Sequence, residues 1–345
     1  MSTSLRKWVA GSMLVGAGAC LVLGPACSMD SGVDDGPLEP QPGAGGAGGS
    51  AAGGGGGNES SSGNLNSNAV KPNVMLLVDR SGSMSEPADC GEASCPSKWD
   101  QLLTLGAYLA EVKQLARLGL SVFPSAEYNG CDVSPSVLVS LSEDADADEQ
   151  IMAAIGAIYP GGQTPVAAAL DEMALVGGLD DHHRDNILLV MTDGRPNCAC
   201  GGDEACEKAA AVSAVERLAQ SYPPVDIDII GFGTSAQEAH EILSAMATAA
   251  GDDQYYQSDT IEELIGTLYE IGTASAPCKY DLDGTPEPDK LIAWLDGDQV
   301  PACSAAPCVS GYTYQQAQAL VEFHGATCDL LRNGEPHQVW FDEAE

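Results

Sequence analysis

The strongest indication of the fold is an apolar run of strand length, residues 73–78, which ends in an acidic, hydroxyl-rich turn at residues 79–83. An unbroken apolar run predicts a parallel strand buried on both faces, and open sheets of such strands bind ligands at their carboxyl ends. Asp79, Ser81 and Ser83 occupy alternate positions of the turn, so their oxygen atoms can converge on one point. Carboxylate and hydroxyl oxygens bind hard divalent cations, and the turn therefore predicts a site for magnesium, manganese or calcium.

Two more turns that carry side-chain oxygens lie further along the chain. Thr164 follows a pair of glycines and opens an alanine-rich stretch predicted to be a helix through residue 176. Asp193 follows a second apolar strand, predicted over residues 186–191. Because the carboxyl ends of parallel strands meet at one edge of a sheet, we expect these residues to join the first turn in a single site.

Together, the three turns resemble the von Willebrand factor type A domain and its metal-ion-dependent adhesion site, over about residues 70–273. The resemblance implies that Ser81, Ser83 and Thr164 would hold the ion directly, magnesium being the first choice, while two aspartates act mainly through water. It also implies an open coordination position, which an acidic side chain of a partner protein would fill. The candidate metal ligands are Asp79, Ser81, Ser83, Thr164 and Asp193.

The rest of this region alternates between strands and helices, which predicts right-handed crossovers and a doubly wound, mostly parallel sheet flanked by helices. The further predicted strands cover residues 118–123, 137–141, 225–231 and 255–256. The predicted helices cover residues 98–117, 164–176, 204–220, 236–249 and 261–271. The fold class is thus α/β, with a small disulfide-stapled, β-rich module at the C-terminal end.

An acidic stretch at residues 143–149 has two interpretations. Its aspartates alternate as in a calcium loop, but Glu149 stands where the loop needs glycine, and Ile155 where it needs a bidentate glutamate. We therefore expect the acidic start of a helix, where negative charge is favoured by the helix dipole.

The strongly acidic composition limits the kinds of partner. The chain carries 50 acidic and 14 basic residues, for a formal net charge of −36 at pH 7. Such a charge argues against nucleic acid and against anionic membrane surfaces, and it favours cations and basic or neutral partners. Solubility of an exported protein in a salty medium explains it equally well.

The N-terminus has the pattern of an export signal, with two basic residues before an apolar run that small residues connect to a cysteine. This resembles a bacterial lipoprotein signal, in which Cys20 or Cys27 would become the lipidated residue. Cys27 is favoured, because loss of Cys20 and acylation of Cys27 leave ten of the 12 cysteines, an even number for disulfides. An ordinary secreted protein with an odd thiol is the alternative. Lipidation would anchor the chain in the bacterial cell envelope, with the outer membrane preferred, and provide its only membrane contact.

Composition divides the chain into four segments. Residues 1–27 form the signal, and residues 28–69, rich in Gly, Ala and Ser, form a flexible tether that cannot bury a core. Residues 70–275 form the domain described above, and residues 276–345 the C-terminal module. This module is too small for a large core, so we expect two disulfides to stabilise it.

Ten cysteines are disulfide candidates, with their pairing left open. The spacing of Cys198, Cys200 and Cys206 also suggests zinc, but the chain has no paired C-x-x-C set, and an exported protein favours disulfides. The candidates are Cys90, Cys95, Cys131, Cys198, Cys200, Cys206, Cys278, Cys303, Cys308 and Cys328.

The sequence favours a binding protein over an enzyme. It contains no G-x-S-x-G elbow, Walker A loop, H-E-x-x-H motif or dinucleotide fingerprint. A hydrolase that pairs His182 or His183 with Ser81, and metal-assisted hydrolysis at the Asp79 cluster, are the enzymatic alternatives. A structural envelope protein whose ion only stabilises the fold is a third hypothesis. We expect divalent-cation-dependent binding of another protein.

Overall fold

The computed structural model describes residues 63–87, 95–127, 130–144, 146–234 and 237–344. Its strands are β1 (Gly63–Leu65), β2 (Ser67–Ala69), β3 (Asn73–Asp79), β4 (Arg117–Phe123), β5 (Val137–Ser142), β6 (Asn186–Thr192), β7 (Val225–Phe232), β8 (Tyr256–Ser258), β9 (Lys279–Leu282), β10 (Leu291–Leu295), β11 (Asp298–Val300), β12 (Ser310–Gln315), β13 (Leu320–Gly325) and β14 (Val339–Glu343). Its helices are α1 (Lys98–Leu102), α2 (Gly106–Val112), α3 (Ala147–Ala157), α4 (Val166–Val176), α5 (Glu204–Ala219), α6 (Gln237–Ala250), α7 (Ile261–Ala274) and α8 (Ala326–Leu331).

The main sheet confirms the predicted fold class. In the described residues it has six strands in the order β5-β4-β3-β6-β7-β8, and β5 is the one that runs antiparallel to its neighbour. Alternate residues of β3 face opposite layers, as the two-residue period of a strand requires. Val74, Leu76 and Val78 pack with α1, α2, α3 and α7, while Met75 and Leu77 pack with α4, α5 and α6. The fully buried strand β3 therefore lies at the centre of an α/β/α sandwich.

The single helix predicted over residues 98–117 is wrong. A turn of the 3₁₀ type at residues 103–105 separates α1 from α2. The N–H of each of these three residues donates to the carbonyl three residues before it, instead of four as in an α-helix. The hydroxyl of Thr104 also donates to the carbonyl of Gln101 at 2.8 Å, which offers the backbone an alternative to the α-helical pattern. The helix ends early as well, because Arg117 already belongs to β4.

The C-terminal β module contains strands from both ends of the described chain. One four-stranded sheet has the order β1-β14-β10-β11 and the other β12-β13-β9-β2, counted over the described residues. The two sheets share an apolar core that includes Leu291, Phe323 and Phe341, with Leu65 packed against it. The predicted tether therefore ends too late in the sequence: residues 63–69 form strands of this module. The remainder of that predicted tether lies outside the described residues, as do the predicted signal and Cys27.

Asp185 links the β module to the main sheet. Its carboxylate accepts from the ammonium of Lys279 at 2.7 Å and from the guanidinium of Arg332 at 3.0 Å. Its backbone carbonyl accepts from the N–H of Asn73 at the start of β3. The module therefore adjoins the amino ends of the parallel strands, the end of the sheet opposite to the predicted site.

Four disulfides connect described cysteines. Two lie in the β module, Cys278–Cys328 and Cys303–Cys308, and two lie in the main domain, Cys131–Cys198 and Cys200–Cys206. Cys95 is also disulfide-bonded, and Cys90 lies outside the described residues.

Among the helices that the structure describes, none combines the length and the apolar character needed to cross a membrane.

Candidate metal centre

The structure brings the predicted metal ligands to one edge of the main sheet. Asp79 is the last residue of β3, and Ser81 and Ser83 lie in the turn that follows it. Asp193 directly follows β6, and Thr164 lies two residues before α4 begins. Strands β3 and β6 pair in parallel with Asn73 opposite Asn186, so their carboxyl ends meet. Register therefore explains how segments more than 100 residues apart converge.

Three hydroxyls and one carboxylate surround a common space. Ser81 Oγ and Ser83 Oγ are 3.0 Å apart, and Ser83 Oγ donates to Asp193 Oδ1 at 2.7 Å. A Cβ atom added to Gly194 would lie 3.5 Å from Ser83 Oγ and 3.9 Å from Thr164 Oγ1. The absence of a side chain at position 194 therefore keeps open a small space that faces both hydroxyls.

Asp79 lies beneath this space and is fully buried. Its carboxylate accepts from the Ser81 N–H at 2.7 Å and from Thr192 Oγ1 at 2.6 Å. Burial, and next the negative charge of Asp193, raise the pKa of Asp79 to about 7, although the bonds from Thr192 and Ser81 oppose the shift. Two neighbouring buried carboxylates repel each other, and a cation between or beside them relieves this repulsion.

Arg80 connects the first site turn to two neighbouring loops. Its side chain is buried, its Nε donates to the carbonyl of Tyr159 at 3.1 Å, and its Nη1 donates to the carbonyl of Ser125 at 2.5 Å. Its own carbonyl accepts from the N–H of Gly161 at 2.6 Å. The arginine between Asp79 and Ser81 thus fixes the backbone that presents both residues.

The Thr164 loop is held from both sides. The N–H of Gly82 donates to the carbonyl of Gly162, and the Thr164 N–H donates to Asn197 Oδ1 at 2.8 Å. The disulfide Cys131–Cys198 joins the loop after β4 to the loop after β6. The loop is thus bonded to the turn after β3 through Gly162 and to the loop after β6 through Thr164, and these bonds limit its movement.

Sequence reasoning missed three residues that contact the site. Thr192 and Arg80 hold Asp79 and its turn, and Lys98 Nζ lies 2.7 Å from Asp193 Oδ2. Lys98 had a detectable signal, because it lies four residues before Leu102 on the same apolar helical stripe. A charged residue at such a position needs a buried partner. Neither Thr192 nor Arg80 had a comparable signal.

The side chains present fit a hard divalent cation. Three neutral hydroxyls and two carboxylates are the oxygen donors that magnesium and manganese accept. No group of three or more His, Cys, Asp or Glu suited to a metal occurs in the part of the chain that the structure describes, and the candidate centre instead combines two carboxylates with three hydroxyls.

The hydrolase arrangement is not formed. His183 Nε2 lies 2.7 Å from Asp281 Oδ1, and His182 packs against the ring of Tyr222. Both histidines precede β6, whereas Ser81 follows the carboxyl end of the adjacent β3. Seven residues of strand separate these ends by about 20 Å, since a parallel strand rises about 3.3 Å per residue.

Comparison with known proteins identifies the family. The model of the von Willebrand factor type A domain matches residues 73–270, more than half of the 345-residue chain. The chain therefore belongs to the von Willebrand factor type A domain family.

Individual relatives are more distant. The uncharacterized protein YwmD of Bacillus subtilis (strain 168) is 29% identical over 107 residues, which are 31% of this chain and 43% of YwmD. The pilus adhesin SpaC of Lactobacillus rhamnosus GG has a TM-score of 0.49 at 15% identity, covering 80% of this chain and 40% of SpaC. The manganese-loaded TRAP protein of Plasmodium vivax has a TM-score of 0.40 at 18% identity, covering 81% of this chain and 97% of TRAP. The matched part spans less than half the length of YwmD and of SpaC.

Proposed function

We propose that this chain is a non-enzymatic binding protein of the bacterial cell envelope that captures another protein through a divalent cation. The observation that carries the proposal is the contact chain from Ser81 Oγ through Ser83 Oγ to the Asp193 carboxylate, at 3.0 and 2.7 Å. In this proposal Ser81, Ser83 and Thr164 hold the ion directly, and Asp79 and Asp193 act mainly through water. Magnesium is the first choice, with manganese and calcium as alternatives.

The chemistry follows from the neutral character of the direct ligands. A bound divalent cation supplies a Lewis-acidic position, and hydroxyl ligands cancel little of its charge. An acidic side chain of the partner is then attracted strongly, even though the chain as a whole is negative, because the local charge dominates at short range. We therefore propose a partner that presents an exposed Asp or Glu.

The cell envelope is proposed on chemical grounds. Disulfides such as Cys131–Cys198 and Cys278–Cys328 form and persist in oxidising compartments. We propose export, lipidation of Cys27 and attachment to the outer membrane, with the folded part in the periplasm or at the cell surface.

The test is calorimetric titration of magnesium, manganese and calcium into the intact protein and into the double variant Asp79→Ala/Ser81→Ala. Saturable binding by the wild type, lost in the variant while circular dichroism shows that the fold persists, is the expected result. The matched control is Asp298→Ala/Ser304→Ala, which removes one exposed aspartate and one exposed serine from the β module and should leave metal binding unchanged.

A second experiment separates binding from a structural role. A synthetic peptide with one central glutamate should bind the metal-saturated protein, and its glutamine counterpart should not. Metal that raises the melting temperature without any peptide binding would favour the structural hypothesis. Metal-dependent turnover of generic esters or phosphoesters would instead favour an enzyme. Metal binding that persists in the double variant would contradict the proposed site.

A further inference from the structure

Lys98 is a cation built into the candidate metal centre. Its ammonium lies 2.7 Å from Asp193 Oδ2, while Ser83 Oγ donates to the other oxygen of the same carboxylate. The Asp193 side chain is fully buried, and that of Lys98 is 10% exposed. A single buried carboxylate thus separates the ammonium from a hydroxyl of the predicted ligand set.

The position of Lys98 is fixed by packing as well as by charge. A Cβ atom added to Gly233 would lie 3.0 Å from Lys98 Cε and 3.2 Å from Lys98 Cδ, so the loop after β7 lies directly against the lysine stem. Gly233 has a φ of 60°, a conformation that favours glycine, and it leaves room for this stem. The ammonium is therefore held at Asp193, in contrast to a solvent-exposed lysine, which samples many rotamers.

Lys98 changes the net charge of the candidate site. The two carboxylates of Asp79 and Asp193 and a divalent cation would together have a formal charge of zero. The ammonium of Lys98 makes the loaded site positive by one charge. Like charges in a buried site repel strongly, so the ammonium opposes binding of the metal. The same ammonium attracts an anion that approaches the loaded site, because charge-assisted contacts are strong where water is excluded.

We propose that Lys98 sets the specificity of the site for anions: it weakens binding of the divalent cation alone and strengthens binding of a carboxylate to the metal-loaded protein. The inference rests on the proposed function and adds a specificity-determining residue to it. The two effects have opposite signs. An electrostatic role for Lys98 can therefore be distinguished from a structural role, because a distorted site would weaken both metal binding and carboxylate binding.

The test uses Lys98→Met, which keeps the length of the stem and removes the charge, and Lys98→Arg, which keeps the charge. Magnesium is titrated into each intact protein, and the glutamate peptide is then titrated into each magnesium-saturated protein. We expect Lys98→Met to bind magnesium on the order of tenfold more tightly and the peptide on the order of tenfold more weakly. Lys98→Arg should restore both affinities toward the wild type.

Circular dichroism and thermal melting monitor the fold of each variant. If Lys98→Met does not fold, Lys98→Gln replaces it, because its amide can still donate to Asp193. Weakening of both steps, or no change in either, would overturn the role of Lys98. Magnesium binding that appears only in the uncharged variants would support that role but overturn the proposed function. A wild type and variants that all bind no metal would overturn both.

Discussion

At the residue scale, Gly194 leaves a space in the candidate site, flanked by the hydroxyls of Ser83 and Thr164. We expect Gly194→Ala to fold, since its new methyl group would meet these oxygens at ordinary contact distances of 3.5 and 3.9 Å. The methyl group would occupy the space proposed for the ion. Magnesium affinity, measured by calorimetry, should therefore fall by at least about tenfold, equivalent to 1.4 kcal/mol.

Gly266 provides the matched control for this substitution. It lies in α7, and a Cβ atom there would meet nothing within 4 Å. Gly266→Ala should leave magnesium binding unchanged and should stabilise the protein by up to about 1 kcal/mol, because alanine favours the helix. An unchanged affinity in Gly194→Ala would show that the ion, if bound, lies elsewhere.

Arg80 is expected to contribute mainly to stability. Arg80→Met keeps much of the stem volume but removes the donor to the buried carbonyl of Ser125 and to the partly buried carbonyl of Tyr159. Loss of charged donors to buried acceptors costs about 2–3 kcal/mol, which urea unfolding measures directly. Arg217→Met is the control, since Arg217 forms an exposed pair with Asp171 and should lose under about 1 kcal/mol. Equal losses in the two variants would contradict a stabilising role for Arg80.

Sequence reasoning could place the candidate ligands because each follows a strong local signal. Asp79 and Asp193 directly follow long apolar strands, and Thr164 follows two glycines that precede a helix. Arg80 carried no such signal, and the position of Lys98 on an apolar helical stripe did not identify its partner. Their partners are distant in sequence, and their charge alone suggests exposure, whereas both are buried.

At the element scale, α2 and α3 are joined by an ion pair that links stability to pH. Lys113 follows the end of α2, and its ammonium lies 2.6 Å from Asp148 in the first turn of α3. The hydrogen bond from Lys113 is the main cause that lowers the pKa of Asp148. The folded protein therefore holds the ionised form more readily than the unfolded chain. The resulting stability is fully present above the ordinary carboxyl pKa, near 4, and it is lost as the pH falls through the lower folded value.

Asp148→Asn should lower the free energy of unfolding at pH 7 by on the order of 0.5–1 kcal/mol, and the difference should shrink below pH 4. Urea unfolding at a series of pH values measures this dependence. Glu149→Gln removes a charge from the same helix turn without removing the Lys113 partner, so its effect should be smaller. A difference from the wild type that grows toward acid pH would contradict the assignment.

The same elements show where sequence patterns are decisive. Long apolar runs predicted β3, β6 and β7 to within a residue or two, since burial on both faces leaves little ambiguity. The acidic start of α3 was also confirmed. The break between α1 and α2 was missed, because the apolar stripe continues through it and the only local polar feature, in the described residues 103–105, is the hydroxyl contact of Thr104.

At the scale of the whole molecule, the chain enters and leaves the type A domain through one β module. Strand β1 pairs with β14, and β2 pairs with β9, so residues on both sides of the main domain complete the same two sheets. Residues 63–69 are mostly polar and gave no strand signal. Their strands form because partners from the far end of the chain supply the hydrogen bonds, which a local pattern cannot reveal.

Because β1 and β2 complete the two sheets of the module, we expect amide hydrogen exchange to differ between a shortened chain that keeps these strands and one that lacks them. A chain that starts at Asn58 keeps β1 and β2, so amide hydrogen exchange in β14 and β9 should stay slow. A chain that starts at Val70 lacks β1 and β2, which exposes the unpaired edges of β14 and β9. Amide hydrogen exchange should then accelerate in both strands and remain slow in β3, β4 and β6, whose partners are intact. Equal protection in the two chains would mean that β1 and β2 contribute nothing to the module.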